Sequence, residues 1–206
     1  MELTDMDLEL LELTSVPLDA LKVCKNYSNS PLLQYYGFSE EYWDYVPVDG
    51  VCIDLGKNKC SGSKIKDAVD KVNKALVLAN TGCLCFASEL YIELAESNDC
   101  IAIIKAEDDF EILRQAGTMG LDEGVTTEQI IKKLSIWKKI SRCDFKIVYA
   151  DMQSMEATFT KMPPNLRRFA LRINTFTPAL IERLEGGIQE YINIMDTDNI
   201  FTLAWD

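Results

Sequence analysis

The sequence predicts an α/β (α+β) fold: a mixed sheet of about five strands, covered by helices, in a single domain with a helical N-terminal extension. Segments with apolar residues at helical spacing alternate along the chain with short apolar runs typical of strands. The chain has 206 residues, which suffices for one substantial core, and its sequence contains no internal repeat or Pro/Gly-rich linker. We therefore expect an extension over residues 1–45 that packs on one domain over residues 46–206.

The extension is expected to begin with two helices. Thr4 and Asp7 have the spacing of a capping pair, and the leucines around them form an apolar stripe over residues 4–14. Pro17 interrupts this pattern. A second short helix is therefore predicted over residues 18–24.

An aromatic segment at residues 35–45 closes the extension. It holds four of the eight tyrosines and one of the three tryptophans. Aromatic side chains with polar tips are enriched in interfaces and ligand clefts, which makes Tyr42 and Trp43 binding candidates. The alternative, which we favour, is that these rings clamp the extension onto the domain, because amphipathic rings are also common at the margin of a core.

Strand and helix patterns alternate over the first part of the domain. Apolar runs predict strands, and apolar residues three or four positions apart predict helices. The strands are predicted at 46–55, 83–86 and 100–104, and the helices at 64–78 and 108–115. Residues 56–62 form a polar loop, and residues 89–96 either continue the strand before them or form a helix.

The second part of the domain begins with a glycine-bearing acidic loop at residues 117–124. Thr126 and Gln129 then form a capping box that opens an amphipathic helix. The remaining elements are strands at 144–149 and 200–205, a helical turn or two at 154–160, and helices at 165–173 and from Pro178 to about Met195.

Charge and composition narrow the classes of function. The chain carries 21 Lys and Arg against 33 Asp and Glu, a net charge of −12, and it contains no histidine. The missing histidine excludes Ser-His-Asp and Cys-His catalysis and histidine-ligated metals. The acidity argues against nucleic acid or an anionic membrane as a partner, and it favours a basic protein. An acidic N-terminus and the lack of a long apolar run predict a cytoplasmic protein, and we expect a bacterial one.

The cysteines are expected to be reduced core residues. Their number, seven, is odd, and most lie within apolar runs. Cys83 and Cys85 are two positions apart in a predicted strand, so both face the same side of it. No second pair at zinc-finger spacing accompanies them, so we expect no metal and no cofactor.

Five charged residues are the remaining candidates for a binding site, and none is assigned as catalytic. Asp122 and Glu123 lie in a loop that lacks every phosphate-binding signature, and Asp151 follows a predicted strand. Arg168 and Arg172 share a helix face, which offers a seat for a phosphate or carboxylate. For these arginines, salt bridges to acidic surface residues are the simpler interpretation.

Residues 117–206 resemble the C-terminal half of a bacterial family known as a domain of unknown function, number 4253. The resemblance rests on the order of four features, listed here as they stand in this chain: Gly117-Thr118-Met119-Gly120 before a Thr-capped helix with Leu134 and Trp137, a strand that ends at Asp151, Met162-Pro163 through Phe169-Ala170, and Leu203-Ala204-Trp205-Asp206. The family typically has an acidic residue where this chain has Ala179 and a second tryptophan at Ala204. The resemblance implies an uncharacterised acidic accessory protein and brings no established activity.

The leading hypothesis is a non-enzymatic, acidic protein-binding protein of the immunity or adaptor type. The alternative is a small-ligand-binding protein or an enzyme with a carboxylate-lined cleft, in which Asp122, Glu123 and Asp151 lie beside Arg168. A deep pocket holding two of these acids would favour the alternative, and an exposed acidic face would favour the protein partner.

Overall fold

The computed structural model describes residues 2–28, 30–56, 63–93 and 96–205. Most of the loop predicted at 56–62, including Cys60, and the terminal Asp206 of the family pattern lie outside these residues. The described residues form eight helices and seven strands, which confirms the predicted α+β class. The chain divides into two compact units, Met1–Gly117 and Thr118–Asp206.

The first unit combines four helices with four strands. Its helices are α1 (Asp5–Leu13), α2 (Leu18–Lys25), α3 (Ser63–Leu78) and α4 (Phe110–Ala116). Its strands are β1 (Leu33–Ser39), β2 (Asp44–Gly56), β3 (Cys83–Glu93) and β4 (Glu96–Lys105). They pair antiparallel in the order β1-β2-β4-β3. Residues 89–93 thus continue the strand that begins at Cys83, one of the two alternatives left open by the sequence, and Glu96 begins β4.

Strand β1 adds a strand that the sequence interpretation did not include. It pairs with β2 through a register that runs from Leu33 opposite Cys52 to Ser39 opposite Asp44. Residues 40–43 form the turn between the two strands. The aromatic segment at 35–45 is therefore the end of a β-hairpin.

A buried ion pair fixes α1 to the end of α2, and the same carboxylate holds the segment after α2 through a hydrogen bond. The Asp7 carboxylate lies 2.9 Å from the Lys25 ammonium, and both side chains are almost fully buried. The same carboxylate accepts hydrogen bonds of 2.7 Å from the Leu32 and Thr4 backbone N–H groups, the second of which completes the predicted capping box. One acidic side chain thereby provides a partner for an N–H group at the start of α1, for a buried lysine and for the N–H group just before β1.

The second unit contains four helices and three strands. The helices are α5 (Thr127–Ser141), α6 (Leu166–Phe176), α7 (Ala179–Arg183) and α8 (Gly187–Asp198). The strands β5 (Asp144–Ala150), β6 (Ser154–Lys161) and β7 (Ile200–Ala204) pair antiparallel in that order. The predicted Thr126 capping box at the start of α5 is present.

Two predictions for the second unit are wrong. Residues 154–160 form the strand β6 rather than helical turns: Met155, Ala157 and Phe159 are buried, and the residues between them are less buried. This period of two suits a strand with partners on both sides. The helix predicted from Pro178 to Met195 is two helices, because the chain turns at Gly186 and Gly187, where Gly187 takes a φ of +52°.

Candidate functional site

The turn between β1 and β2 presents two large aromatic side chains to solvent. Tyr42 is 67% exposed and Trp43 is 70% exposed. Behind the turn, Phe38 and Tyr45 face each other across the hairpin as an edge-to-face pair with ring centroids 5.6 Å apart. We call residues 40–44 the hairpin tip. The antiparallel ladder and the aromatic pair support the tip on a regular strand pair.

The aromatic segment splits into a buried part and an exposed part. The Tyr35 ring is buried against Phe86 with centroids 5.6 Å apart, and its hydroxyl lies 2.7 Å from the Ser88 hydroxyl. Tyr42 and Trp43, in contrast, leave most of their surface in water. Tyr35 anchors the hairpin in the core, whereas the two rings of the tip are mostly exposed.

The hairpin tip is also strongly acidic. Glu40, Glu41 and Asp44 flank the two aromatic residues, and all five side chains of the tip are exposed. The Asp44 carboxylate accepts a hydrogen bond from the neighbouring Tyr45 N–H. Glu40 and Glu41 have no ion-pair or hydrogen-bond partner among the described residues. Their charges are therefore available to another molecule.

The net negative charge of the chain is concentrated in one half of the sequence. Residues 1–117 contain 21 Asp and Glu against 10 Lys and Arg. Residues 118–206 contain 12 Asp and Glu against 11 Lys and Arg. The hairpin tip thus belongs to the unit that carries nearly all of the excess negative charge.

Three carboxylates border an open depression of about 750 Å³ in the first unit: Glu107 and Asp108 in the turn before α4, and Glu111 in the first turn of α4. Lys105 and Arg114 line the same depression, and the Arg114 guanidinium pairs with Glu111 at 3.3 Å. Asp108 accepts a hydrogen bond from the Phe110 N–H. Glu107 and Asp108 thus belong to a charged turn between β4 and α4.

Asp151, one of the sequence candidates, is occupied by its own turn. Its carboxylate accepts hydrogen bonds from the N–H groups of Gln153 and Ser154 at 2.8 and 2.6 Å and from the hydroxyls of Ser154 and Tyr149. This arrangement closes the connection between β5 and β6. Asp122 and Glu123 lie on the turn at 121–124 and make no ion pair or hydrogen bond with any described residue.

Residues from three of the four parts of the family pattern meet in the second unit. Thr118 donates a hydrogen bond to the Asp151 carbonyl, and the Met119 N–H donates to the Met152 carbonyl. Trp205 packs against Gly120 so closely that a Cβ atom there would lie 2.4 Å from the indole. The pattern therefore joins the loop 117–120, the β5–β6 turn and the end of β7. Its residues stabilise the unit and need no ligand for that role.

Arg168 and Arg172 line one groove, as their shared helix face predicts. The groove has a volume of about 490 Å³ and lies between α5 and α6. Arg172 donates a hydrogen bond of 2.9 Å to the Ser141 hydroxyl. In the part of the chain that the structure describes, neither guanidinium pairs with a carboxylate, so the salt bridges favoured by the sequence interpretation are not formed there.

The sequence interpretation missed the apolar lining of this groove. Ile136, Ile140 and Leu171 line it with 42%, 54% and 48% of their surfaces exposed. The sequence contains a signal for this lining: Ile136 and Ile140 are one turn apart on α5, on a face separate from that of the buried Leu134.

The six described cysteines are buried, and none of them is in a disulfide. Burial raises the pKa of the Cys24 thiol to about 12, and it also raises the pKa of Cys83, Cys85 and Cys143. Among the described residues, no group of three Cys, Asp or Glu side chains is arranged to hold a metal ion. Cys83 and Cys85 are core residues of β3, as predicted.

Comparison with known proteins identifies the family. The model of the domain of unknown function DUF4253 matches residues 100–206. This match covers more than half of the chain, and the chain belongs to that family. The resemblance predicted for residues 117–206 is thereby confirmed, and it extends back to Cys100. No curated protein and no solved structure matches the chain.

None of the helices among the described residues is long and apolar enough to cross a membrane.

Proposed function

We propose that this protein is a non-enzymatic binding protein of the immunity or adaptor type, which binds a basic protein partner through the hairpin tip. The proposal places the protein in the bacterial cytoplasm and gives it no role in binding nucleic acid or membranes. Six buried cysteines among the described residues, none of them in a disulfide, support a reducing compartment.

One observation carries the proposal: two exposed aromatic side chains flanked by acids. Tryptophan and tyrosine are the residues most enriched in interface hot spots. Trp43 and Tyr42 leave more than 60% of their surfaces exposed, a large apolar area for a partner to cover. Glu40 and Glu41, which have no described partner, favour lysine or arginine on the opposing surface.

The distribution of charge supports the same choice of partner. The unit that carries the hairpin tip has 21 acidic and 10 basic residues. A field of one sign attracts oppositely charged proteins and raises their association rate, and salt weakens this effect. A basic partner is therefore guided toward the unit in which the aromatic anchors are found.

The alternative of a carboxylate-lined cleft receives less support. Asp151 is occupied by four hydrogen bonds within its own turn, and the lining of the groove that holds Arg168 contains no carboxylate. Acid–base catalysis by carboxylates alone needs two of them in one site with different pKa values. Asp122 and Glu123 lie on an exposed turn, where solvent screens their charges.

The test is quantitative capture from a lysate of the source organism with four tagged full-length baits: wild type, Trp43→Ala, Glu40→Lys/Glu41→Lys, and Leu78→Ala as control. Leu78 is an apolar side chain that is 87% exposed in the same unit, outside the hairpin. We expect the wild type and the control to retain the same basic protein. We expect Trp43→Ala and the charge reversal to lose it by at least about tenfold, because hot-spot truncations cost about 2 kcal/mol or more.

Salt gives the experiment a second readout. Retention by the wild type should fall between about 0.05 and about 0.5 M salt, because charge attraction of this kind is screened. If the retained proteins are the same for all four baits, the hairpin tip is not the binding surface. If a metabolite raises the melting temperature while no protein depends on Trp43, the ligand-binding alternative replaces the proposal.

A further inference from the structure

The groove between α5 and α6 leaves an apolar surface exposed among the described residues of the second unit. Its floor contains Trp137, which is 4% exposed and packs edge-to-face on Phe176 with ring centroids 5.7 Å apart. Its sides carry Ile136, Ile140 and Leu171, each more than 40% exposed. A continuous apolar patch of this kind on a soluble domain marks an interaction site.

Basic side chains border this apolar surface. The Lys133 ammonium lies 5.5 Å from the centroid of the Phe176 ring, and Arg168 lies among the lining residues of the same groove. A second depression of about 240 Å³ adjoins the groove at Arg168 and Arg172, and Arg142 also lines it. In the described parts of the chain, none of these four cations forms an ion pair with a carboxylate.

The excess of basic residues extends over the whole segment that forms the groove. Residues 127–176 contain 10 Lys and Arg and only 4 Asp and Glu, in a chain whose net charge is −12. The groove therefore has the opposite charge preference to the hairpin tip. A molecule that fits it combines apolar groups with negative charge.

The dimensions of the groove identify the kind of ligand. Its lining residues on α5 run from Lys133 to Ile140, eight residues whose seven rises span about 10.5 Å of helix. This length matches the distance between the first and last of three apolar anchors at positions i, i+4 and i+7 of a helix laid along the groove. The groove is open along its length, whereas a small-molecule site encloses most of its ligand.

We infer that the groove between α5 and α6 binds an acidic amphipathic helix of a partner protein. The apolar anchors of that helix pack on Trp137, Ile140 and Leu171. Its carboxylates pair with Lys133 near Phe176 and with the arginines of the adjoining depression. This site is separate from the hairpin tip, and the inference does not rest on the proposed function.

The test uses fluorescence anisotropy with labelled helical peptides of about 16 residues and the full-length protein. The probe peptide has leucines at i, i+4 and i+7 and glutamates near both ends. One control peptide has lysines in place of the glutamates, and another has the same composition with the leucines scattered around the helix. We expect only the probe peptide to bind, with an affinity that falls as salt is added.

Protein variants assign the binding to the groove. Leu171→Glu and Arg168→Glu should each weaken binding of the probe by at least tenfold. Leu78→Glu places the same charge on an exposed apolar position of the other unit and should leave the affinity unchanged. Arg168→Glu should regain affinity for a peptide whose glutamates at the corresponding end are replaced by lysines. Circular dichroism and melting temperature check that each variant is folded.

Four results would overturn the inference. Equal affinity for the glutamate and lysine peptides would remove the charge argument, and equal affinity of the wild type and Leu171→Glu would place the peptide elsewhere. Concentration-dependent self-association that Leu171→Glu abolishes would show that a second copy of the chain occupies the groove. Displacement of the probe by decanoate at a similar affinity would assign the groove to small anionic amphiphiles instead.

Discussion

Replacing Asp7 by asparagine should destabilise the first unit strongly. The change keeps the size of the side chain but removes the charge opposite Lys25, whose side chain is only 5% exposed. The lysine then has no described carboxylate partner, and its other described polar contact is the hydrogen bond of 3.1 Å to the Ser30 carbonyl. Removing one member of a buried ion pair typically costs about 3–5 kcal/mol, because the remaining charge is left without compensation.

The magnitude follows from the geometry around this carboxylate. Burial by itself raises the pKa of Asp7. The backbone hydrogen bonds from Leu32 and Thr4, and the side chains of Lys25 and Thr4, outweigh that effect and hold the pKa well below its ordinary value of 3.8. A lowered pKa in the folded state means that the contribution is fully present above the ordinary value. It is lost as the pH falls below 3.8 toward the folded-state pKa.

Urea unfolding monitored by circular dichroism measures both the loss of stability in the variant and its dependence on pH. At pH 7 we expect Asp7→Asn to lose about 3–5 kcal/mol. Asp19→Asn is the matched control, because Asp19 pairs with Lys22 at 3.1 Å on an exposed surface, and it should change stability by about 0.5 kcal/mol or less. The double variant Asp7→Asn/Lys25→Met should recover part of the loss, since it removes the unpaired charge.

A loss below about 1 kcal/mol for Asp7→Asn would refute this reasoning, since it would mean that Lys25 finds water or another partner at little cost. A wild-type stability that falls no more steeply below pH 3.8 than that of the variant would refute it too. Both results would show that the pair is not as buried as the structure indicates.

Three further predictions concern other parts of the molecule. Gly120→Ala should cost about 1–3 kcal/mol in urea unfolding, because the new Cβ lies 2.4 Å from the Trp205 indole, and adding Trp205→Leu should recover part of that loss. The free energy of unfolding should decline as the pH rises above 9, because burial raises the pKa of Cys24 from 9.0 to about 12 and the unfolded chain loses the thiol proton first. Cys24→Ala should make this decline shallower, and urea unfolding at several pH values measures it. Acrylamide should quench mainly the fluorescence of Trp43, which is 70% exposed, whereas Trp137 is 4% and Trp205 is 3% exposed. Trp43→Phe should therefore remove most of the quenchable fluorescence. An unchanged quenching curve would contradict the exposure of the hairpin tip.

The fold class could be predicted because apolar residues recur at a clear helix or strand spacing in most elements. The helix α5 shows both its capping box and its apolar stripe in the sequence, and the apolar run at 100–104 lies within β4. The segment 154–160 was predicted wrongly because Met, Glu and Ala favour helices, although its apolar residues alternate. Pairing with β5 and β7 on both sides decides its conformation, and a local pattern does not contain that information.

The candidate site could be predicted in part. The aromatic composition singled out Tyr42 and Trp43, and helical spacing placed Arg168 and Arg172 on one face. Whether the aromatic rings are buried or exposed depends on the hairpin between β1 and β2, which was not predicted. The exposure of Leu171 likewise depends on the packing of α5 beside α6, a tertiary relation that sequence periodicity does not specify.

The central claim is that the hairpin tip binds a basic protein, and the most direct measurement is the ratio of each captured protein between the wild-type and Trp43→Ala baits at low salt. The account predicts one basic protein that the wild type and Leu78→Ala retain, that Trp43→Ala loses by at least about tenfold, and that high salt releases. If every captured protein shows a ratio near one, the exposed tryptophan is not an anchor and the claim is wrong.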